Sequence, residues 1–498
     1  MVPVFFFAGI LCVVQLLQGT KAIFSLCCFF YVLVAAHAFN VAGGFTRTSG
    51  AFIFFNAVLT VILGVCMKAY LGEAADSNLL SPLLTIRVYL SCMCMMWVAA
   101  YLTRKFATKR ALLGKMVTDS NMQTATVGCL IAGILMSVAV LVIPSGSGSV
   151  LSALNQLNRF FPMAIILGVI NSIRRSGGTR SINPPILISG SLMFLIGVLG
   201  FSKEGMIAPF ACWLIAAASQ RYKMSRWQLA GIAFGTIFLF RYLVPYAQYG
   251  RNFKDEDSGV SISTSLYLLS NLEYVREQYL EESASSYEER VAGYYNTPQG
   301  FFDRLQMVAI DDALIDNTER FGNFGIYPLI ASFENLVPHF IWKDKPTVFF
   351  GNVYAHQIGM LAEGDDSTGI SFSPASDAFH QASWYGIFIW SPLMFFLLFV
   401  VFDSICGDVR KTPWGILVMI LYAHMAPEGG LGSIAYMLGY TTLGILFAAV
   451  MGSYVMPLLG TLFIGPEGIQ VRRGAPIQSV PNRLRMPFPS KADPTQAS

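Results

Sequence analysis

Charge is scarce in this chain: Asp, Glu, Lys and Arg make up 12% of 498 residues, and hydrophobic residues make up 54%. Soluble domains carry roughly 25% charged residues. The composition therefore excludes a soluble multidomain protein, and the length is better divided into membrane spans than into domains. A mean hydropathy of +0.56 agrees with this. The net charge of +4 is mild, and we expect no nucleic-acid partner.

Several chemical signatures are also missing. The sequence has no Walker A motif and no G-x-G-x-x-G before a helix, so ATP and nicotinamide chemistry are unsupported. His, Asp and Glu do not occur at H-E-x-x-H or similar spacing, so we expect neither a metal site nor a cofactor. All nine cysteines lie in or beside apolar runs. Cys92 and Cys94 would face different sides of a helix, so we predict buried thiols rather than zinc ligands.

Apolar runs of membrane length dominate what is present, and they predict an all-α polytopic membrane protein with about twelve spans. The first run lacks a basic region and a cleavage site, so it is predicted to be a span rather than a signal peptide. The runs are Pro3–Leu17, Ala22–Ala42, Gly50–Tyr70, Ser81–Leu102, Ala125–Ile143, Val150–Ile173, Pro184–Phe201, Gly205–Gln220, Trp227–Ala247, Trp384–Phe402, Pro413–Pro427 and Leu431–Pro457.

Lys and Arg concentrate in every second connection. The basic connections follow runs four, six, eight and ten, and a basic tail follows the last run. The intervening connections are poor in positive charge: Gly72–Asn78 is acidic and Pro144–Ser149 is uncharged. Because cytoplasmic loops are enriched in Lys and Arg, this alternation predicts that both termini are cytoplasmic.

One polar region, Gln248–Ser383, interrupts the apolar runs and holds much of the charge. The predicted organisation is a membrane domain over 1–247, a large external loop over 248–383, further membrane spans over 384–464, and a basic, disordered cytoplasmic tail over 465–498. Within the loop, Phe333–Phe340 is predicted as a helix at the membrane interface. Ser373 followed by Pro374 predicts a helix start.

Charges within or beside apolar runs are costly, and they mark candidate functional sites. All of those found here fall near the predicted outer ends of the runs. For the arginines the alternative explanation is that the side chain snorkels to the lipid headgroups. This explanation fits Arg159 least well, because Arg159 lies deeper in its run. The residues are Arg87, Arg159, Lys203, Glu204, Arg241, His424 and Glu428.

The end of the polar region holds further candidates. Lys343 and Lys345 flank Asp344 and directly follow Trp342 in sequence. This arrangement could either bind phosphate oxygens or anchor the chain at the membrane interface. Asp377 and His380 are spaced to share a helix face. A carboxylate there could deprotonate a hydroxyl, although Asp377 equally suits the first turn of a helix.

Three segments, PHFIWKDKP at 338–346, GNVYAHQIG at 351–359 and TGISFSPASDAFHQASWYG at 368–386, resemble the late outer loop of Wzy-type O-antigen and exopolysaccharide polymerases (oligosaccharide repeat-unit polymerases). The GFSKEGM segment at 200–206 resembles an outer turn of the same family. The resemblance implies a GT-C-like fold in the bacterial inner membrane. It also implies glycosyl transfer between undecaprenyl-diphosphate-linked oligosaccharides, with inversion of the anomeric centre and without a nucleotide sugar as donor.

The resemblance also implies roles for residues and partners. The cations that would hold the diphosphate are Arg159, Lys203, Arg241, Arg251, Lys343 and Lys345. The base that would activate the acceptor hydroxyl is Asp377, Glu204 or His356, in that order. The residues that would contact the glycan are Trp342, His380 and Trp384. A chain-length regulator and a flippase of the same pathway would be partners.

Other functions fit parts of the pattern. An O-antigen-type ligase would share the donor and the topology but use a different acceptor. A lipid-linked oligosaccharide flippase would share the span count, although paired halves with midplane charges are then expected and are not found. A membrane O-acyltransferase would place His and Asn deep in its spans, and little of that is seen.

Overall fold

The computed structural model is built from helices. It describes residues 1–114, 116, 119–143, 154, 158–253, 262–289, 293–297, 299, 302–303, 305–338, 341–342, 344–345, 348–366 and 368–465. Over these ranges the regular structure is helical, with an isolated β-bridge between Phe372 and Gly429. Lys343 and nearly all of the predicted tail lie outside them.

The helices before the polar region are apolar. They are α1 (Val2–Leu17), α2 (Ala22–Ala42), α3 (Thr48–Leu71), α4 (Pro82–Phe106), α5 (Met122–Val142), α6 (Phe160–Arg175), α7 (Pro184–Leu199), α8 (Lys203–Ser219) and α9 (Arg226–Phe253). The polar region contributes α10 (Ile262–Ser270), α11 (Leu272–Glu289), α12 (Val308–Phe321), α13 (Tyr327–Glu334) and α14 (Phe350–Gln357). The last part contains α15 (Pro374–Tyr385), α16 (Ser391–Cys406), α17 (Pro413–Glu428) and α18 (Gly430–Ile464).

The chain is a polytopic helical membrane protein. Among the described residues, seven helical stretches are long and apolar enough to cross a membrane: Ala22–Thr46, Thr48–Leu71, Pro82–Phe106, Met122–Val140, Arg226–Phe253, Pro374–Cys406 and Gly430–Ile464. Each of the twelve predicted runs overlaps a helix. The other five helices have 16 or 17 residues, which gives a length of about 24 Å against a hydrocarbon core of ~30 Å. The count of twelve spans therefore stays a prediction.

Helices are the expected structure for these runs because a backbone in lipid must satisfy its own hydrogen bonds. Their starts follow from local sequence. Proline occupies the first turn of α4, α7, α15 and α17, where its missing N–H costs little. The predicted Ser373 N-cap is confirmed, since its side chain accepts a hydrogen bond from the Ser376 backbone N–H at 3.3 Å.

The short connections gather on two opposite faces. On the first, which we call the basic face, the Leu112 N–H donates to the Ser404 carbonyl at 3.0 Å and the Val409 N–H donates to the Thr46 carbonyl at 3.0 Å. Arg174 on the same face pairs with Asp119 at 2.6 Å. The predicted basic connections thus lie together, and the contact of Met1 with Asn40 puts the first residue at this end.

The opposite face carries the polar region, and we call it the loop face. There the Asn78 amide donates to the Asn296 side chain at 2.8 Å. Asp312 of α12 accepts hydrogen bonds from the Ser81 N–H at 3.1 Å and the Thr85 hydroxyl at 2.7 Å, at the start of α4. The loop is therefore anchored directly to the membrane helices.

One loop prediction needs correction. The predicted interface helix over Phe333–Phe340 is wrong in position, because helix α13 spans Tyr327–Glu334 and the chain then turns before Pro338. A helix is disfavoured at the residue before a proline, which explains its early end. Further on, α15 is kinked near its end, where the backbone angles of Ala382 and Ser383 are non-helical, next to the predicted start of run ten at Trp384.

Candidate functional site

A cavity of ≈ 220 Å³ opens on the loop face, where the polar region meets the membrane helices. Four separate segments form its wall: α13, α14, the start of α15 with the residues before it, and the turn from α17 into α18. The lining residues are Pro328, Ser332, Phe350, Gly351, Tyr354, Ile370, Ser371, Phe372, Asp377, Gln381, Glu428, Gly429, Gly430, Gly432 and Ser433. Drug-sized ligands occupy pockets of about 300–1,000 Å³, so this one suits a smaller polar group.

The wall is held by hydrogen bonds around Asp377, which is 6% exposed. Its Oδ2 accepts the Leu431 N–H at 2.7 Å, at the start of α18. Its Oδ1 accepts the Gln381 amide at 2.8 Å and the Tyr354 hydroxyl at 3.3 Å. Burial raises the pKa of the Tyr354 hydroxyl, so that group stays protonated and donates. Both oxygens of Asp377 are thus engaged by the protein.

Gly430 allows this arrangement. Its φ is +57°, and a Cβ at this position would lie 2.6 Å from Asp377 Oδ2. Its N–H donates to the Phe372 carbonyl at 3.0 Å. The glycine-rich turn can therefore lie directly against α15, which brings Glu428 and Asp377 into one cavity.

Glu428 is the second carboxylate of the wall. It is the last residue of α17, and its side chain is 34% exposed. His424 lies one turn earlier on the same helix, and its Nδ1 is 3.5 Å from Glu428 Oε2. Glu428 is therefore a carboxylate within the cavity that water and small solutes can reach.

A buried acidic helix supports this cavity from behind. Asp311 of α12 accepts the Ser373 N–H at 3.1 Å and the Ser376 hydroxyl at 2.6 Å, at the start of α15. It also accepts the Tyr89 hydroxyl of α4. Burial raises the pKa of the Asp311 carboxyl to about 6, against the opposing effect of these hydrogen bonds. Because carboxylates stabilise helix N-termini, Asp311 and Asp312 fix the start of α15 and of α4, respectively.

Of the three residues proposed from sequence to act as the base, one lies in the cavity wall and two lie elsewhere. Asp377 lies in the cavity wall. Glu204 is exposed in the first turn of α8, which Ser202 caps by accepting the Gly205 N–H at 3.0 Å. His356 is half-buried in α14, with Nε2 3.1 Å from the Asp365 carbonyl. Neither Glu204 nor His356 belongs to the cavity lining within the described residues.

The predicted cations lie outside that lining as well, over the part of the chain that the structure describes. Arg159 directly precedes α6 and donates to the Asn158 carbonyl at 3.2 Å. Lys203 begins α8 and is half-buried. Arg241 lies 4.0 Å from Glu273 of α11, and Arg251 is exposed at the end of α9. The ends of α7 and α9 meet nearby, with the rings of Phe201 and Tyr246 5.0 Å apart.

Three aromatic residues were predicted to contact a glycan. Trp342 is 40% exposed, and Trp384 is 37% exposed and stacks on Phe388. His380 is instead 1% exposed. Its Nδ1 lies 2.8 Å from the Thr318 hydroxyl and its Nε2 lies 3.0 Å from the Gln357 side chain. His380 therefore joins α12, α14 and α15 in the interior of the loop.

Lys345 has a clear structural role. It is 8% exposed, and its ammonium donates to the carbonyls of Asn335 at 3.1 Å and Val337 at 2.8 Å. These carbonyls follow the end of α13, where backbone acceptors lack helical partners and cations are favoured. Lys345 thus stabilises the turn behind α13.

Lys345→Met is expected to lower thermal stability, since it leaves two carbonyls without their charged donor at a cost of about 1–3 kcal/mol. The melting temperature of purified protein in detergent measures this, with exposed Lys411→Met as the control. An unchanged melting temperature together with lost activity would instead show that Lys345 contacts substrate.

Sequence reasoning missed two parts of this site. Glu428 was noted as a charge at a turn but was given no role, and Asp311 and Asp312 were not singled out. The signal for Glu428 was the P-E-G-G segment directly after an apolar run, where glycines permit close packing. For Asp311 and Asp312 no local signal exists, because their partners are distant in sequence.

The fold and the cavity define a class: a helical membrane protein with a carboxylate-lined site on the face that carries its large polar region. Comparison with protein-family models, with curated proteins and with solved structures finds no match.

Proposed function

We propose that this protein polymerises undecaprenyl-diphosphate-linked oligosaccharide repeat units by inverting glycosyl transfer at the outer face of the bacterial inner membrane. The observation that carries the proposal is the cavity at the junction of loop and membrane helices. A sugar needs hydrogen-bond partners and an apolar surface, and this cavity offers both. The hydrogen-bonding groups are its two carboxylates, the Gln381 amide and the hydroxyls of Ser332 and Ser433, and the apolar surface is the ring of Tyr354. Its size suits one sugar residue rather than a whole repeat unit.

In this proposal the chain has twelve spans and a GT-C-like fold. The basic face is cytoplasmic and the loop face is external. The non-reducing end of an incoming repeat unit enters the cavity as acceptor. Arg159, Lys203, Arg241, Arg251 and Lys343 are the candidates that hold the diphosphate of the donor, at the loop-face ends of their helices or in the loop. A chain-length regulator and a flippase act with the protein.

Labelling tests the orientation. In a variant whose nine native cysteines are replaced, Glu363→Cys should react with an impermeant thiol reagent in intact spheroplasts, because Glu363 is exposed within the loop. Thr179→Cys, exposed beside Arg180 on the basic face, should react only after lysis. The reverse pattern would invert the topology and remove the cavity from the external side.

The lipid-linked products of a deletion strain test the function. A polymerase defect should abolish long polymer and leave single repeat units joined to the lipid on the external side. Accumulation of those units on the cytoplasmic side would indicate a flippase. Long polymer that is made but stays on the lipid would indicate a ligase.

A further inference from the structure

We infer that Glu428 is the base that removes the proton from the attacking acceptor hydroxyl, and that Asp377 is a positioning residue that holds the turn presenting Glu428. This inference rests on the proposed function and assigns the chemistry of the same cavity to a particular residue. A base must lie within hydrogen-bond reach of the substrate proton that it accepts.

The two carboxylates differ in how a substrate can reach them. Asp377 is 6% exposed, and its oxygens accept three hydrogen bonds from Leu431, Gln381 and Tyr354. A substrate hydroxyl would have to displace one of them. Glu428 also lines the cavity and its side chain is 34% exposed, so a hydroxyl can approach it more readily than the buried Asp377.

Gln381 gives independent reason to expect a hydroxyl donor in this cavity. Its side chain is 3% exposed, and it lines the wall. Its Nε2 donates to Asp377, whereas its Oε1 is buried without a hydrogen-bond partner among the described residues. A buried acceptor without a donor is costly. A sugar hydroxyl that donates to Gln381 Oε1 would remove that cost and orient the ring for attack.

In the chemical step, the acceptor oxygen forms a bond to the anomeric carbon of the lipid-diphosphate-linked donor. The bond from that carbon to the diphosphate oxygen breaks, and the lipid diphosphate leaves with the electron pair. The hydroxyl proton passes to the Glu428 carboxylate. His424, 3.5 Å from Glu428 and half-exposed, can pass the proton on to water.

The test compares variants in membranes of the deletion strain, supplied with the lipid-diphosphate-linked repeat unit. Glu428→Gln keeps the shape of the side chain but removes its basicity, and general-base catalysis contributes typically 10²–10⁴-fold. We expect polymer formation to slow by about that factor at normal protein level. Glu363→Gln, an exposed loop glutamate, is the matched control and should behave as wild type.

Two further measurements separate chemistry from structure. Formate should restore part of the rate to Glu428→Ala, because a small carboxylate can occupy the vacated space. Asp377→Asn should lower the rate but keep the acid limb of the pH–rate profile, whereas Glu428→Gln should lose that limb. In the Asp377→Asn variant, Gln381 can support the new amide by turning its own amide and presenting Oε1.

Wild-type rates from Glu428→Gln, or failure of formate to restore any rate to Glu428→Ala, would overturn the inference and leave the polymerase proposal intact. Unchanged polymer in the deletion strain itself would instead remove the polymerase proposal.

Discussion

Replacing Asp311 with alanine should prevent most of the protein from reaching its folded state. The change leaves the Ser373 N–H and the hydroxyls of Ser376 and Tyr89 without their acceptor in a fully buried place. Each such group costs about 1–3 kcal/mol. The total is a large part of the ~5–15 kcal/mol that usually stabilises a domain. Yield and monodispersity of detergent-extracted protein measure the effect. Normal yield of Asp311→Ala would show that Asp311 is not needed to hold α4 and α15 together.

The same carboxyl should make stability depend on pH. Its folded pKa, about 6, is above the ~3.9 expected of an unfolded aspartate. The folded state therefore binds the proton more tightly. The stabilisation is complete below the unfolded pKa and is lost as the pH rises through about 6. The loss approaches ~3 kcal/mol by pH 7, since one pKa unit corresponds to about 1.4 kcal/mol. In Asp311→Asn, which cannot titrate, this contribution should disappear from a melting-temperature series between pH 4 and 7.

The second large effect concerns the contact of α5 with α18. At Gly128 of α5, an added Cβ would lie 1.9 Å from the Met456 carbonyl oxygen of α18. At Gly460 of α18, an added Cβ would lie 2.0 Å from the Thr124 carbonyl oxygen of α5. Small residues permit such approach between membrane helices. Gly128→Ala and Gly460→Ala should each force the helices apart and cost about 1–3 kcal/mol or more, as overpacking does.

Thermal stability in detergent measures these changes, and the chain provides matched controls. Gly231 and Gly235 of α9 have no atom within 4 Å of an added Cβ. Their alanine variants should be neutral or more stable by up to about 1 kcal/mol, because alanine favours helix. Equal effects at all four positions would show that backbone propensity, rather than packing, determines the result.

The sequence was most informative where one local property determines the structure. The length of the apolar runs predicted helices, and a helix overlaps each of the twelve runs, because a backbone in lipid must satisfy its own hydrogen bonds. Charge alternation grouped the basic connections correctly, because each short loop carries its own signal. Ser373–Pro374 predicted a helix start, because capping involves only neighbouring residues.

Contacts between distant segments could not be predicted in this way. Asp311 meets Tyr89 and Ser376, which lie 222 and 65 residues away in sequence. Glu428 shares a cavity with Asp377 only because Gly430 allows α18 to start against α15. Lys345 was an expected phosphate ligand, yet its neighbours are the carbonyls behind α13, which only the three-dimensional turn brings within reach.

Reconstitution tests the central claim most directly. Purified protein in liposomes, given only undecaprenyl-diphosphate-linked repeat units, should produce polymer on the lipid and release one undecaprenyl diphosphate for each bond formed. Glu363→Gln should match wild type in this assay, and Glu428→Gln should be slower by about two orders of magnitude or more, as expected for a lost general base. Movement of repeat units between leaflets without formation of any polymer would contradict the account and identify a transporter.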